Sequence, residues 1–343
     1  MPIKAWRSTC IQMKSSLATQ VKTHEEAWNR INGNVRRAVE LIEQACDGPM
    51  QPKLVVLPEF ALQGPPHGEP VGQWIKKACD TIPGRATAPL QEVAIRRNIY
   101  IAGNLFEIDP KWPGRFFNSC FLIDPAGEVL LRYRRINTAM WPSPHDFMDA
   151  YVGELGADGT FPVVDTELGK LAMIACGEIA VPEVSRALMM QGAEVILHPT
   201  NEDLNPGQEA AKIARASENM VYVVSANVAG GIGFSPDGSV LGGRSRIIDF
   251  RGQTLSYQPG TEEDISVSAM IDVEALRAAR RDTSMANTLL RSRWEMYRGF
   301  YEKAAFYPPN QFLDAPMTEG AQTKLAVETA MQNLVRAGIV TAA

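Results

Sequence analysis

The chain has 343 residues, 45% of them hydrophobic and 21% charged, with a formal charge of −5. That is enough to bury a sizeable core in one large α/β domain or two ordinary ones. The acidic balance argues against the basic stripe that holds nucleic acid, and no apolar run approaches the ~20 residues that cross a bilayer.

Residues 5–12 read as a first strand. Thr23 then opens a long helix, with Ile31, Val35, Ala38, Leu41, Ile42 and Ala45 on one stripe and Asp47-Gly48-Pro49 as its stop. LVVLPEF (54–60) has the near-continuous apolar character of a strand covered on both faces. A helix over Ala88–Asn98 leads into the strand IYIAGNLFE, and FNSCFLIDPAGEVLLRY reads as a hairpin turning at Asp124–Gly127. After a long loop, 136–160, a second hairpin, FPVVDTELGKLAMIAC, ends at Cys176. Pro182 opens the next helix, with Val184, Ala187, Leu188 and Gln191 inward and Gly192 as its cap. Residues 318–340 read as an amphipathic helix carrying Val327, Met331, Leu334, Val335 and Gly338 on one stripe.

The second half echoes the first. AEVILHPT (193–200) repeats KLVVLPEF, and IIDFRGQTL (247–255) repeats LIDPAGEVL (122–130). Two echoes in the same order point to an internal duplication. The expected fold is α/β: two β-sheets face to face with helices outside, a four-layer αββα sandwich. No Gly/Ser-rich linker divides the chain. Residues 1–300 therefore read as one domain, and 301–343 as a C-terminal extension that packs on a partner subunit.

The five cysteines (Cys10, Cys46, Cys79, Cys120, Cys176) are scattered, with no CxxC or Cys/His cluster for zinc. The opening MPIKAWRSTCIQM has no long apolar stretch. The expectation is a reducing, cytoplasmic setting, no signal peptide, no metal and no cofactor. Cys176 sits between a strand and the helix opened by Pro182, where free backbone N–H groups favour negative charge and can serve an oxyanion. Taken alone, a cysteine ending an apolar strand is more often an inert core residue. Glu59, at the tip of LVVLPEF, is costly there unless it has a task; desolvation raises its pKa and suits it to take a thiol proton. Arg132, Arg134 and Arg135 close the first hairpin, where a solvated basic edge is the ordinary account.

Three segments, VVLPEFALQG (55–64), FNSCFLIDPAGEVLLRYRR (117–135) and MIACGEIAVPEVSRALMMQGAEVI (173–196), together resemble the nitrilase superfamily of carbon–nitrogen hydrolases, and ARASENMVYVVSANVAG (214–230) is similar to its second-half helix and strand. The run PEFALQG looks most like the aliphatic amidases, whereas Cys176-Gly177-Glu178 is closer to true nitrilases. The resemblance implies Cys176 as nucleophile and Glu59 as general base and then acid. A backbone N–H near Gly177 and a cation would meet the oxyanion. The family's cation is a lysine; here the matching position is Arg135, and Lys111 and Lys170 lie in the wrong segments. Arginine keeps the charge but is bulkier. It leaves three outcomes open: an active enzyme, one that grips an anionic substrate, or a ligand-binding member that barely turns over.

The resemblance also implies an acidic residue in the loop NTAMWPSPHDFMDAY (137–151). His145, Asp146 and Asp149 are the candidates, with Trp141 and Phe147 as apolar walls. Glu178 belongs with the expected substrate contacts, as do His198, Thr200 and Asn201 in HPTNED (198–203). The implied function is hydrolysis of a small amide or N-carbamoyl compound with release of ammonia, or of a nitrile, in a homodimer or larger even homo-oligomer. A cysteine peptidase would need one of His24, His67, His145 or His198 beside Cys176, and would leave Glu59 without a role. No His pair spaced along a helix supports a metallohydrolase.

Overall fold

The computed structural model describes residues 2–138, 140–203, 206–230 and 242–341. Its elements run in chain order as β1 (Trp6–Cys10), α1 (His24–Asp47), β2 (Leu54–Val56), α2 (Val71–Ala78), α3 (Ala88–Arg97), β3 (Tyr100–Glu107), β4 (Phe117–Ile123) and β5 (Val129–Arg134). Next come α4 (Met148–Thr160), β6 (Val163–Thr166), β7 (Gly169–Met173), α5 (Pro182–Met190), β8 (Val195–Thr200), α6 (Pro206–Asn219), β9 (Tyr222–Asn227), β10 (Arg246–Ile248) and β11 (Thr254–Tyr257). The chain ends with β12 (Ser268–Ile271), α7 (Val273–Arg281), the short α8 (Thr288–Arg291) and α9 (Arg298–Tyr301), and α10 (Thr323–Arg336).

The strands form two six-stranded sheets, ordered β12-β1-β2-β3-β4-β5 and β11-β10-β9-β8-β7-β6. In each, three consecutive strands run parallel and two antiparallel strands follow; the other edge is closed by an antiparallel strand, β12 from the far end of the chain in the first sheet and β6, hairpin partner of β7, in the second. The topology thus repeats, with β4–β5 answering β10–β11 as the LIDPAGEVL/IIDFRGQTL echo suggested. Side-chain alternation builds the layers. Leu54 and Val56 of β2 pack with Leu171, Val195 and Val223 of the facing sheet, whereas Val55 and Leu57 pack under Ile31, Val35 and Leu90 of α1 and α3. The result is the αββα sandwich.

Local chemistry explains the boundaries. Thr23 and Glu26 form a reciprocal capping box, and every apolar residue of the expected α1 stripe is buried. β2 is shorter than LVVLPEF: Pro58 cannot donate to a ladder, so pairing stops early and Glu59 falls in a turn beyond the strand. β7 likewise ends at Met173, three residues before Cys176. Within 136–160, read as loop, lies helix α4. Gly153, Gly156 and Gly159 dilute its helical signal, and Gly156 breaks it with φ +70°. The buried side of α5 includes Ser185 and Met189 rather than Ala187 and Gln191.

The last segment straps back on its own chain before α10. The N–H of Val71 donates to the Thr318 carbonyl (2.8 Å), Arg115 Nη2 to the Phe312 carbonyl (2.6 Å), and Met317 is buried in the core beneath α1 and α3. α10 buries only Thr323 and Ala326.

Candidate active site

Alternation along the first sheet decides which polar side chains enter the space between the sheets. On β5, Leu131 and Tyr133 face the second sheet, so Arg135, two residues on, leaves the strand on the same side. Arg134 takes the other side and is held by Glu107 (2.8 Å) and Asp109 (2.6 Å). On β4, Asn118 shares the face of Cys120 and Leu122.

These residues converge on Glu59, which is fully buried. Its Oε1 accepts from Asn118 Nδ2 at 2.7 Å and from Arg135 Nη1 at 3.2 Å. A relay holds the arrangement: the N–H of Phe60 donates to Asn104 Oδ1 (3.2 Å), and Asn104 Nδ2 donates to Asn118 Oδ1 (2.6 Å). Oε2 is buried and meets no nitrogen or oxygen donor among the described residues. Burial pushes the Glu59 carboxyl above the usual range, with Arg135 opposing. Arg135 also donates through Nε to the Asn137 carbonyl at 3.2 Å.

From the second sheet comes Cys176, 8% exposed, at the start of a 3-10 turn, Cys176–Ala180. It adopts φ +46° and Phe60 φ +60°, so the residue next to the base and the thiol-bearing residue both hold left-handed backbone that side chains disfavour. Such strain concentrates at functional sites. The thiol donates to the Asn201 carbonyl at 3.3 Å, and the Cys176 carbonyl lies 2.8 Å from His198 Nε2. A carbonyl only accepts, so Nε2 carries the proton, and Nδ1 accepts from the Ser225 hydroxyl at 2.9 Å. Burial drives the His198 pKa down to about 3; the ring is a neutral brace for the nucleophile's backbone. Burial pushes the Cys176 thiol up, and the Glu59 charge adds to it. A buried thiol thus stands beside a buried carboxyl group, and burial raises the proton affinity of both.

The other expected residues sort by their partners. Gly177 leaves room for the cation: a Cβ there would lie 3.3 Å from Arg135 Nη2 and 3.5 Å from Gln208 Nε2. Glu178, expected at the substrate, is fully buried and fully engaged. Its Oε1 accepts from the Ile136 N–H (3.0 Å), the Asn137 N–H (2.8 Å) and Asn137 Nδ2 (2.9 Å), and its Oε2 from the Tyr133 hydroxyl (2.7 Å). Glu178 ties the chain after Arg135 to the turn that carries Cys176. Thr200 donates to Glu202 Oε1 at 3.0 Å.

The loop candidates have partners of their own. Asp146 Oδ2 accepts from the Ser143 N–H (2.8 Å), and burial lifts its carboxyl to about 6. Asp149 is exposed, its N–H held by Asn310. His145 packs against the Tyr307 ring (5.6 Å) and lines a cavity of about 360 Å³ with Ile136, Asn137 and Thr138. Trp141 packs edge-on against Phe60 and Phe106 in the first-half core. Sequence reasoning missed Asn104, Asn118 and Glu202. The strand parity that puts Asn118 beside Cys120 was the one signal available for it.

The family model described as carbon-nitrogen hydrolase matches residues 9–281. An (R)-stereoselective amidase of Pseudomonas sp is 31% identical over 67% of this chain and 76% of its own length. The omega-amidase NIT2 of Homo sapiens is 28% identical over 72% and 86%. A nitrilase of Pyrococcus abyssi is 31% identical over 77% and 92%. Among solved structures, the C. elegans NitFhit protein superposes with TM-score 0.65 at 22% identity, covering 87% of this chain and 67% of the other. A mutant of the amidase from Nesterenkonia sp. AN1, in complex with butyramide, gives 0.59 at 20%, covering 86% and 97%. With a buried thiol beside a buried carboxylate and a match running through nearly all of the sandwich, the chain belongs to the carbon–nitrogen hydrolases of the nitrilase superfamily, and is a hydrolase of non-peptide carbon–nitrogen bonds.

Proposed function

We propose that this protein hydrolyses a small amide through a Cys176 thioester. The observation that carries the reading is Glu59: a buried carboxylate whose Oε1 is saturated by Asn118 and Arg135 while the Cys176 thiol stands beside it. Glu59 takes the thiol proton as sulfur attacks the amide carbon, and returns it to the nitrogen as ammonia leaves. It then activates water against the thioester. Arg135 and the backbone N–H of Gly177 meet the charge that develops on the substrate oxygen. The curated relatives named amidase support an amide; the nitrilase relative supports a nitrile as the second reading. An N-carbamoyl substrate follows the same steps. The test is ammonia release from short primary amides, N-carbamoyl compounds and nitriles by wild type and Cys176→Ala. Activity of more than a few per cent in Cys176→Ala refutes the thiol mechanism.

The same reading includes self-association through the C-terminal region. Phe300 is 78% exposed, Met296 70% and Leu325 69%, apolar side chains that a partner subunit would cover. Residues 301–343 act on this view as an extension shared with a partner subunit. A 37.6 kDa monomer by light scattering at micromolar concentration refutes it. The five cysteines are unpaired, which is consistent with a reducing compartment such as the cytoplasm. No described helix is long and apolar enough to cross a membrane.

A further inference from the structure

Glu59 follows β2, and Glu202 follows β8, one of the two strands of the second sheet that β2 faces. Glu202 is also buried, its side chain only 3% exposed. Its Oε1 is occupied: Lys212 Nζ donates at 2.7 Å and the Thr200 hydroxyl at 3.0 Å. Its backbone is pinned from both sides by Asn227, whose Oδ1 accepts the Glu202 N–H (3.1 Å) and whose Nδ2 donates to the Glu202 carbonyl (2.9 Å). Oε2, in contrast, is buried and has no hydrogen-bond partner among the described residues. The preceding residue, Asn201, is the one whose carbonyl accepts the Cys176 thiol, and the Glu202 charge reaches both Cys176 and Glu59.

A buried carboxylate oxygen can only accept, and leaving it unserved is costly. Around the nucleophile the cation side is taken up: Arg135 serves Glu59, and Lys212 serves Glu202 Oε1 and Glu209 at 2.8 Å. Among the described residues nothing completes Oε2, which leaves this oxygen able to accept from a donor that a substrate brings. We infer that Glu202 is a specificity-determining residue that accepts a hydrogen bond from the N–H of the substrate carboxamide, holding the nitrogen on the Glu202 side while the oxygen faces Arg135. The inference rests on the amide reading above and goes past it. It selects substrates that carry a free N–H next to the attacked carbon, and disfavours nitriles, which have none.

The test uses two thiol reagents of nearly the same shape, 2-chloroacetamide and chloroacetone, in which a methyl group replaces the NH₂. The alkylation rate at Cys176 is read by mass spectrometry for each, and divided by its rate with free cysteine. One hydrogen bond to a charged acceptor predicts a normalised preference for the amide of roughly tenfold or more in wild type. In Glu202→Gln that preference falls toward one. A role confined to bracing Thr200 and Lys212 would slow both reagents alike and leave the ratio unchanged, which overturns the inference, as does a wild type without preference. If Glu202→Gln does not fold, Glu202→Asp keeps the charge but withdraws it by one methylene; an unchanged ratio there overturns the inference equally. Ammonia release is scored separately. A wild type inert toward every amide, with the alkylation preference intact, would refute the amidase reading and leave the recognition by Glu202 standing.

Discussion

Replacing Arg135 by alanine is the most informative perturbation of the reaction centre, because it removes the cation 3.2 Å from Glu59 without touching nucleophile or base. Two effects follow. As a donor to the developing oxyanion, its loss should lower kcat by roughly 10²–10³-fold. As the partner of a fully buried carboxylate, its loss leaves Glu59 uncompensated, a change that costs about 3–5 kcal/mol in buried pairs. Without the opposing guanidinium, the Glu59 carboxyl then holds its proton more tightly still. Glu59 must be ionised to act as base, so the acid limb of kcat/KM should move to higher pH. Stability follows the same sign. In the folded state Glu59 already binds its proton more tightly than in the unfolded chain, so stability falls as pH rises from the ordinary carboxylate pKa to the folded one. In Arg135→Ala that fall runs on to higher pH, so the gap to wild type widens only above the pH at which the wild-type Glu59 carboxyl has ionised. Ammonia release and thermal denaturation from pH 4 to 9 measure both. Wild-type kcat with an unmoved acid limb would refute the placement of Arg135 in the machinery. Arg135→Lys keeps the charge and should move the limb little, with kcat between wild type and alanine.

Glu59→Gln should lose several powers of ten in kcat while remaining folded, since the amide preserves shape but cannot take the thiol proton; substantial turnover would exclude Glu59 as base. His198 is held neutral with its pKa at about 3, so the unfolded chain binds one more proton than the folded one below about pH 6.5. Wild-type stability should therefore drop as pH falls from about 6.5 toward 3, more steeply than in His198→Gln; parallel melting curves would contradict the buried neutral ring. Glu178→Gln replaces an acceptor of four hydrogen bonds by a group that also donates, and should cost about 1.5–3 kcal/mol by denaturant titration and lower kcat through misplacement of Arg135. An unperturbed Glu178→Gln protein would return Glu178 to the substrate side.

Periodicity was enough to determine the sandwich. The α1 stripe, the alternating and buried strand runs and the two internal echoes are local signals, and each survives because burial selects apolar residues at the spacing of the element. Local chemistry made Cys176 and Glu59 candidates, but a cysteine ending an apolar strand is more often inert, and it was the order of the three segments resembling the nitrilase superfamily that singled the two out. What only the tertiary structure decided is how those groups are served. Asn104 and Asn118 sit on adjacent strands of one sheet, and His198 and Glu202 come from the other; nothing in the linear chain brings them to Glu59 and Cys176. The roles expected of Glu178 and of the 137–151 loop depended on where side chains point across that gap. Glu178 turned inward to brace Tyr133, Ile136 and Asn137, and Asp146 turned back to cap its own turn. A polar side chain's role is set by which partner satisfies it once water is gone, and that choice is made by the packing of two sheets, not by its neighbours in sequence.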